Sequence, residues 1–281
     1  MNDAIFPIDF TKMSGTGNDF IIIDHRQACI DEADQAEFAR RVCRRTFSIG
    51  ADGLILIEQS ESADFSWRFY NSDGSVAAMC GNGARCAARF AYMNGIAGKT
   101  MSFATRAGIV SAEIQEDESL VKVQLTSPSP IKGGVKIPIL DKELEVFSLD
   151  TGVPHAVIFT ERLEEFPVVE FGRKIRFHPH FQPAGTNVNF VQMLPDQQLY
   201  VRTYERGVEN ETMACGTGAV ASALVAALTQ AVRSPVQIRT SGGEYLSVYF
   251  DEIQDSTAQK VFLQGPARTI FSGSMTAEAI Q

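Results

Sequence analysis

The chain has 281 residues and a net charge of −9, so two domains are favoured and the surface is acidic. Phosphate contacts need clustered Lys and Arg, so this charge argues against a nucleic-acid partner and against an anionic membrane surface. The first ten residues lack the basic start and apolar core of a signal peptide, and we therefore expect a cytoplasmic protein. Its five cysteines, an odd number without regular spacing, are expected to be free thiols.

Hydrophobic periodicity along the first half of the chain predicts three strands and two helices. The strands are expected at 17–24, 54–58 and 65–70, and the helices at 32–45 and 83–93. A stretch rich in proline, glycine and serine, Thr126–Pro138, is the best candidate for a linker between domains. The second half is expected to have a helix at 218–229 and strands near 145–149, 155–160, 188–193, 199–204, 236–240 and 245–250.

The two halves of the chain resemble each other when one is shifted along the other by 135 residues. The identities at this offset include Cys80/Cys215, Gly81/Gly216, Gly83/Gly218, Ala84/Ala219, Ala88/Ala223, Ala91/Ala226, Thr105/Thr240 and Gly108/Gly243. Because the repeat is far longer than the units of a solenoid, it indicates a duplicated domain. Each half is therefore predicted to be a similar α/β unit that carries the same Cys-Gly-x-Gly-Ala turn.

Cys80 and Cys215 each stand immediately before a predicted helix of small residues. The first N–H groups of a helix have no internal acceptor and carry a partial positive charge, so a thiol there is easier to deprotonate. Glycines in each turn let a ligand approach the backbone, whose N–H groups can then bind a carboxylate. Two related domains facing across a cleft would put one sulfur on each side of a bound group. This arrangement suits inversion of a stereocentre, where a thiolate removes a proton from one face and a thiol returns one to the other.

Other interpretations of the chemistry-bearing residues were weighed. A single buried cysteine is more often a small hydrophobic residue, and Cys29, Cys43 and Cys86 keep that interpretation. The run from Gly216 to Ala221 also fits a loose dinucleotide fingerprint, but the residues before it are polar rather than a buried strand. The segment His178-Pro179-His180 has no matching second pair of ligands, so we expect a surface loop there and no metal site.

Several separated motifs, in the expected order along the chain, resemble those of the diaminopimelate epimerase family. In the first half they are Lys12–Phe20, Ile49–Gly53, Asn71–Ser75 and Met79–Cys86. In the second half they are Pro154–His155, Gly185–Phe190, Tyr204–Gly207 and Ala214–Ala219. Each motif alone is weakly specific, whereas their joint occurrence over most of the chain is highly specific.

The resemblance implies an α/β (α+β) fold of two pseudo-symmetric domains, each a mostly antiparallel β-sheet or barrel wrapped around a central helix. The domains would be 1–127, with Cys80, and 128–269, with Cys215, and residues 270–281 would return to the first domain. The resemblance also implies a homodimer without a cofactor. Its reaction would convert LL- to meso-diaminopimelate, which feeds the synthesis of lysine and peptidoglycan.

The same resemblance implies a role for each residue of the site. Cys80 and Cys215 would be the acid–base pair, and Asn18 would hold the substrate near its reacting end. The reacting carboxylate would be bound by Gly81, Asn82, Gly216 and Thr217. The distal amino-acid group would be bound by Asn71, Asn187, Glu205 and Arg206. His155 and Glu205 would lie near the sulfurs and tune their protonation.

Two positions depart from the family's usual pattern. Val153 stands where many members have Asn before Pro-His, and Gly53 stands where many have Gln. Both changes remove a side-chain amide expected near the ligand, so a racemase for another polar amino acid, such as histidine or glutamate, is the closest alternative. A dehydratase on the same scaffold would not need the second thiol, and a non-catalytic amino-acid binding protein would need neither.

Overall fold

A computed structural model of the protein describes residues 5–229 and 232–281. Residues 1–4, where the first predicted domain begins, lie outside these ranges. The chain divides into two compact units: unit 1 extends to Val123 and also includes Gly265–Gln281, and unit 2 is Gln124–Gln264. The divisions expected from the sequence, after residues 127 and 269, lie a few residues further along the chain.

The strands and helices up to Val123 alternate along the chain. The strands are β1 (Ile8–Gly15), β2 (Asn18–Asp24), β3 (Gly53–Glu58), β4 (Phe65–Asn71), β5 (Thr100–Thr105), β6 (Gly108–Ile114) and β7 (Leu120–Gln124). The α-helices are α1 (Glu32–Val42) and α2 (Gly81–Met93).

The elements after β7 repeat this alternation. The strands are β8 (Lys132–Ile139), β9 (Lys142–Asp150), β10 (Pro154–Phe159), β11 (Asn187–Met193), β12 (Leu199–Glu205), β13 (Asn210–Thr212), β14 (Val236–Thr240), β15 (Tyr245–Tyr249), β16 (Phe262–Pro266) and β17 (Arg268–Met275). The α-helices are α3 (Val168–Arg176) and α4 (Gly216–Leu228), and short 3-10 helices span Pro179–Phe181, Pro195–Gln197 and Ala277–Ile280.

The two units share one pattern of strand pairing. In unit 1 the order is β17–β1–β2–β3–β4–β5–β6–β7, with β2/β3 and β4/β5 parallel and the other pairs antiparallel. In unit 2 the order is β8–β9–β10–β11–β12–β14–β15–β16, with β10/β11 and β12/β14 parallel. The repeated order of parallel and antiparallel pairs agrees with the duplication read from the sequence.

One small-residue helix packs against the strands of each unit. Helix α2 contacts β1, β2, β3 and β6, and α4 contacts β9 to β12, β14 and β15. Alanine and glycine allow this, because a helix with short side chains can be approached by strands from several directions. The predicted fold class, two similar units each built around a central helix, is confirmed.

The central strands of each unit are buried on both faces. In β2 and β3, Ile21 and Leu54 belong to a core that includes Phe38 of α1, whereas Phe20 and Ile55 contact Gly83 of α2. Successive side chains of a strand point to opposite faces, so such strands read as continuous apolar runs. In β11 the same alternation places Val188 and Phe190 in a core with α3. Asn187 and Asn189 point to the opposite face of the strand, toward α4.

The prediction of a linker over Thr126–Pro138 is wrong for its second half, because residues from Lys132 onward form strand β8. Ile137 and Ile139 are buried at 2% and 3% exposure, and their alternation with exposed residues is a strand signal that outweighs the prolines and glycines. The pairing register shifts between Lys132 and Val135, which accommodates Gly133 and Gly134. Over the ranges described above, no helix is long and apolar enough to cross a membrane.

Candidate active site

Cys80 is the N-cap residue of α2, with extended backbone angles of φ −149° and ψ 117°. Its Sγ accepts a hydrogen bond from the Gly83 N–H at 3.5 Å, and its thiol donates to Asn18 Oδ1 at 3.6 Å. The side chain is half-buried. The sulfur therefore occupies the position where the first turn of a helix stabilises negative charge.

The orientation of the Asn18 amide is set by charged residues behind it. Asn18 Nδ2 donates to Asp52 Oδ2 at 2.7 Å, which turns Oδ1 toward the sulfur of Cys80. Asp52 is paired with Arg45 at 2.9 Å, and Arg45 also pairs with Asp19 at 2.6 Å. Burial alone would raise the pKa of Asp19, but hydrogen bonds from Arg45 and Lys12 lower it to about 2. The Asp19 carboxylate therefore stays charged at neutral pH, and its ion pair with Arg45 helps to hold this corner of the site.

Arg85 fixes the side chain of Asn82, the residue two positions after Cys80. The guanidinium is fully buried, and its Nη2 donates to Asn82 Oδ1 at 2.9 Å and to Thr16 Oγ1 at 2.7 Å. Burial lowers the pKa of Arg85 to about 10, which still leaves it protonated at neutral pH. A buried cation beside the start of α2 adds to the positive potential that the helix end provides.

Asn71 lies in the same corner of unit 1 as Asn18. It pairs with Gly53 across β3 and β4, and the next residue, Ser72, donates its N–H to Asp52 O at 3.0 Å. A Cβ on Gly53 would lie 2.7 Å from Tyr70 O and 2.6 Å from the ring of Phe69. Because a backbone atom blocks that space, the glutamine that the family resemblance leads one to expect at this position does not fit here without a shift of the strand.

Cys215 is the N-cap residue of α4 and is also half-buried, with φ −119° and ψ 108°. Its Sγ lies 3.5 Å from Thr217 Oγ1. The Gly216 and Thr217 N–H groups stand in the first turn of α4, where a helix has no internal acceptor for them. They are therefore suited to bind a carboxylate oxygen.

His155 reaches Cys215 through Thr217 rather than by direct contact. Its Nε2 lies 3.0 Å from Thr217 Oγ1, and its Nδ1 lies 3.1 Å from Asn189 Nδ2. Burial, followed by the positive charge of Arg206, lowers the pKa of His155 to about 3, so the ring is neutral at physiological pH. On the side away from His155, Asn189 Oδ1 accepts the hydroxyl hydrogen of Thr203 at 2.9 Å.

The remaining predicted residues cluster at the neighbouring strand ends of unit 2. Asn187 is opposite His155 in the parallel pair β10/β11, and its Oδ1 accepts the Arg206 N–H at 2.8 Å. Glu205 is the last residue of β12 and directly precedes Arg206, whose Nη1 donates to Ala184 O at 3.0 Å. Val153 lies just before β10, where its carbonyl accepts the Thr151 N–H at 3.2 Å.

The other three cysteines differ from Cys80 and Cys215 in their surroundings. Cys43 and Cys86 are buried in the cores of unit 1, and burial raises the pKa of each thiol to about 12. Burial also raises the pKa of Cys29, which is half-buried. These thiols stay protonated at neutral pH, as the sequence interpretation of them as small hydrophobic residues expects.

Comparison with known proteins decides the family. The family model described as diaminopimelate epimerase matches residues 10–131 and 147–270. A diaminopimelate epimerase of Aquifex aeolicus is 46% identical, and the alignment covers 98% of this chain and all of that protein. The chain belongs to the diaminopimelate epimerase family. A second member, from Hydrogenobaculum, is 44% identical over 95% of this chain and 98% of its own length.

Solved structures outside the diaminopimelate epimerases share the fold. A hydroxyproline epimerase from Agrobacterium vitis, crystallised with trans-4-hydroxy-L-proline, superimposes with a TM-score of 0.72 over 96% of this chain and 93% of that one. Its sequence identity is 15%, so this likeness concerns the fold alone. As a member of the diaminopimelate epimerase family, the chain is an isomerase of amino-acid biosynthesis.

Three residues beside the sulfurs were not singled out from the sequence: Asp52, Arg85 and Asn189. All three lie inside motifs that carry the diaminopimelate epimerase resemblance, but the contacts of Asp52 with Asn18 and of Arg85 with Asn82 are visible only in the folded chain. Asn189 offers a clearer signal. It follows Asn187 by two residues in β11, and such residues of a strand share a face.

Removing His155 should flatten the pH dependence of stability in this diaminopimelate epimerase homologue. As the pH falls below about 6.5, the unfolded chain binds a proton that the folded chain, with a pKa of about 3, does not bind. His155 alone therefore lowers the free energy of unfolding by about 1.4 kcal/mol for each pH unit that the pH falls across this window. Urea unfolding between about pH 6 and about pH 4.5 should show a slope shallower by that amount in His155→Gln. The matched control is His180→Gln, which removes an exposed histidine of unit 2; an equal change of slope in both variants would contradict the prediction.

Proposed function

We propose that the chain inverts one α-carbon of diaminopimelate by a two-thiol mechanism, with Cys80 and Cys215 acting on opposite faces. One sulfur, as thiolate, takes the α-hydrogen as a proton, and the electron pair of the broken C–H bond moves onto the carboxylate. The other sulfur, as thiol, gives its proton to the opposite face of the carbon and becomes thiolate. The two cysteines exchange roles in the reverse direction.

The high energy of the carbanion is the main barrier to such a reaction, because the α-hydrogen of an amino acid is a very weak acid. Negative charge that spreads onto the carboxylate is best stabilised by donors held in place beforehand. The N–H groups of Gly81 and Asn82, and those of Gly216 and Thr217, stand at the starts of two helices of 13 residues each. We assign these groups to the reacting carboxylate, a task they perform without any cofactor.

The proposal rests on one observation above the others. Two half-buried cysteines occupy the same N-cap position in two units of matching strand order, in a chain 46% identical to a diaminopimelate epimerase over 98% of its length. A protein that only bound an amino acid would have no chemical use for the second thiol. The remaining cysteines lie where their protonated form is favoured.

We assign the distal amino-acid group of the substrate to Asn71, Asn187, Glu205 and Arg206. The guanidinium of Arg206 can bind a carboxylate with two parallel hydrogen bonds, and the carboxylate of Glu205 can accept from an ammonium group. Asn187 supports Arg206 through the hydrogen bond from its backbone N–H. A substrate without a second charged end would leave these groups without their partners.

Substrate specificity is tested by chiral chromatography, which measures the epimerisation of LL-diaminopimelate and the racemisation of L-histidine and L-glutamate. The value of kcat/KM for diaminopimelate should exceed that for either competitor at least about 100-fold, because a site built for polar groups rejects substrates that lack them. Turnover of histidine or glutamate in the absence of diaminopimelate turnover would overturn the assignment. That outcome would support the alternative racemase, which Gly53 and Val153 favour because they supply no side-chain amide.

We further propose that the active form is a homodimer in the cytoplasm, with no nucleic-acid or membrane partner. The net charge of −9 supports the last part of this proposal. Strand β17 exposes Ile270 and Phe271 at 55% and 47%, and neighbouring exposed apolar side chains are typical of surfaces that a partner subunit covers.

A further inference from the structure

We propose that Asn189 is a positioning residue that holds His155 in its Nε2–H tautomer, so that the Thr217 hydroxyl donates its hydrogen to Cys215 Sγ. The residues involved are a buried asparagine on β11, the histidine at the start of β10 and the second residue of α4. The inference rests on the proposed function, because it assigns the hydroxyl to the sulfur that exchanges protons with the substrate.

The orientation of the Asn189 amide follows from its neighbours. Its Nδ2 lies 2.9 Å from the carbonyl oxygen of Ala156, which can only accept, so the atom there must be the nitrogen. Its Oδ1 accepts the hydroxyl hydrogen of Thr203 at 2.9 Å. The second hydrogen of Nδ2 then points to His155 Nδ1 at 3.1 Å.

This orientation determines the state of the histidine ring. His155 Nδ1 must be an unprotonated acceptor, because a proton there would face another N–H donor. A neutral imidazole with a bare Nδ1 carries its proton on Nε2. Burial holds the pKa of His155 at about 3, which keeps the ring in this neutral form.

The consequence reaches Cys215 through Thr217. His155 Nε2–H donates to Thr217 Oγ1 at 3.0 Å, so the hydroxyl oxygen is used as an acceptor on that side. Its own hydrogen is then directed to Cys215 Sγ at 3.5 Å. A hydroxyl that donates to sulfur stabilises the thiolate relative to the thiol.

The repeat-related positions of unit 1 do not carry the residues of this relay. At the same positions of unit 1, Phe20 corresponds to His155 and Ile55 corresponds to Asn189, and the parallel pairing of β2/β3 has the same register as that of β10/β11. The apolar side chains of Phe20 and Ile55 can neither donate nor accept a hydrogen bond. Cys80 instead contacts Asn18 and the Gly83 N–H.

Gly218 has no side chain, and this lets Asn189 pack against the first turn of α4. A Cβ on Gly218 would lie 2.2 Å from Asn189 Oδ1, whereas a Cβ on the repeat-related Gly83 would meet only the tips of Ile55 and Phe20, at 3.3 and 3.5 Å. Unit 2 therefore has a glycine at the position where Asn189 packs against α4. Because Asn189 is a buried polar side chain, its hydrogen bonds must be fully satisfied.

The first test is the tautomer of His155 in the wild-type protein, measured without substrate. Long-range proton–nitrogen NMR on protein labelled with 15N-histidine reports which ring nitrogen is bare, and the His155→Gln spectrum assigns the signal among the four histidines. We expect a bare Nδ1 and a protonated Nε2. A protonated Nδ1 would overturn the proposal, and this result does not depend on whether the chain epimerises diaminopimelate.

The second test compares Asn189→Ala with the matched control Thr203→Val, which removes the other hydrogen bond of the same amide. Loss of a hydrogen bond to a charged sulfur should lower kcat for epimerisation about 10- to 100-fold in Asn189→Ala, with KM changed less than about threefold. Thr203→Val should stay within about threefold of wild type, because the nitrogen of Asn189 keeps both its partners. Equal losses in the two variants would assign Asn189 a structural role and reject the proposal.

The third test uses the thiols themselves. In Thr217→Val the rate of alkylation of Cys215 by iodoacetamide, followed peptide by peptide at fixed pH, should fall about threefold or more because the thiolate fraction falls. The rate at Cys80 should not change, which makes it an internal reference, and Thr217→Ser should restore the rate at Cys215. An unchanged rate at Cys215 in Thr217→Val would contradict the relay even if epimerase activity is absent.

Discussion

Replacement of either Cys80 or Cys215 with alanine should lower kcat for epimerisation roughly 10³-fold. In the proposed mechanism each sulfur serves its own face of the substrate carbon, so neither should take over the proton transfer of the other. Each is half-buried at the N-cap of a helix, so the fold should tolerate its loss. Chiral chromatography of diaminopimelate measures the rate, and thermal unfolding checks that each variant remains folded.

The matched control for these variants is Cys29→Ala, which removes a half-buried thiol from unit 1 outside the site. Its kcat should stay within about twofold of wild type. Each of the two active-site variants keeps one base, so we also expect one stereoisomer to exchange its α-hydrogen with solvent without inversion. A variant at Cys80 or Cys215 that keeps a tenth of the wild-type kcat would reject the two-thiol mechanism.

Gly218→Ala should damage both the stability of unit 2 and the activity. The added Cβ would lie 2.2 Å from Asn189 Oδ1, so either the asparagine or the start of α4 must move. Overpacking of a filled interior costs about 1–3 kcal/mol, and movement here also separates Thr217 from His155. We expect the free energy of unfolding to fall by that amount and kcat to fall about 100-fold or more.

Gly83→Ala is the repeat-related comparison for this prediction. Its added Cβ would meet Ile55 Cδ1 at 3.3 Å and the ring of Phe20 at 3.5 Å, which are the ends of side chains that can shift by tenths of an ångström. Alanine is also the better helix former by about 1 kcal/mol, so the stability of this variant should change by less than about 1 kcal/mol. A loss of stability as large in Gly83→Ala as in Gly218→Ala would contradict the account of Asn189.

The parts of the fold that could be predicted from the sequence are those in which local and tertiary requirements agree. The Cys-Gly turns precede runs of alanine, so the start of a helix at each cysteine follows from composition and capping together. The apolar run of β2 reads as a strand because both of its faces are buried. The same cysteines could be singled out because a duplication sets them apart from the other three.

The strands β1, β5, β6, β7, β13, β16 and β17 were not predicted from the sequence, and neither were α3 and β8, in which tertiary packing overrides local preference. Helix α3 has Gly172 in its middle, which weakens any helical signal, yet a Cβ at that position would lie 2.4 Å from Tyr204 Cβ. Strand β8 lies in a stretch with proline and paired glycines that favour a linker, and the alternation of Ile137 and Ile139 with exposed residues marks only its end; pairing with β9 extends the strand back to Lys132. In α3, Gly172 allows the helix to pack closely against Tyr204. In β8, a shift in the pairing register accommodates the two glycines.

The polar supports of the site could not be derived from the sequence, because each depends on the register between strands. The contact between Asn18 and Asp52 requires the parallel pairing of β2 and β3, and that between His155 and Asn189 requires the pairing of β10 and β11. Residue types together with the internal duplication predicted the two sulfurs and the turns assigned to the carboxylate. They did not predict which buried amide would set the direction of the hydrogen bonds behind Cys215.

Deuterium incorporation during epimerisation of LL-diaminopimelate in D₂O, measured by mass spectrometry at low conversion, tests the central claim most directly. Two thiols on opposite faces predict that the meso product carries one solvent deuterium at the inverted carbon, while the recovered substrate keeps its hydrogen. A single base serving both faces would return the original hydrogen to part of the product and would place deuterium in the recovered substrate at a comparable rate. That second pattern would contradict the assignment of Cys80 and Cys215 as an acid–base pair.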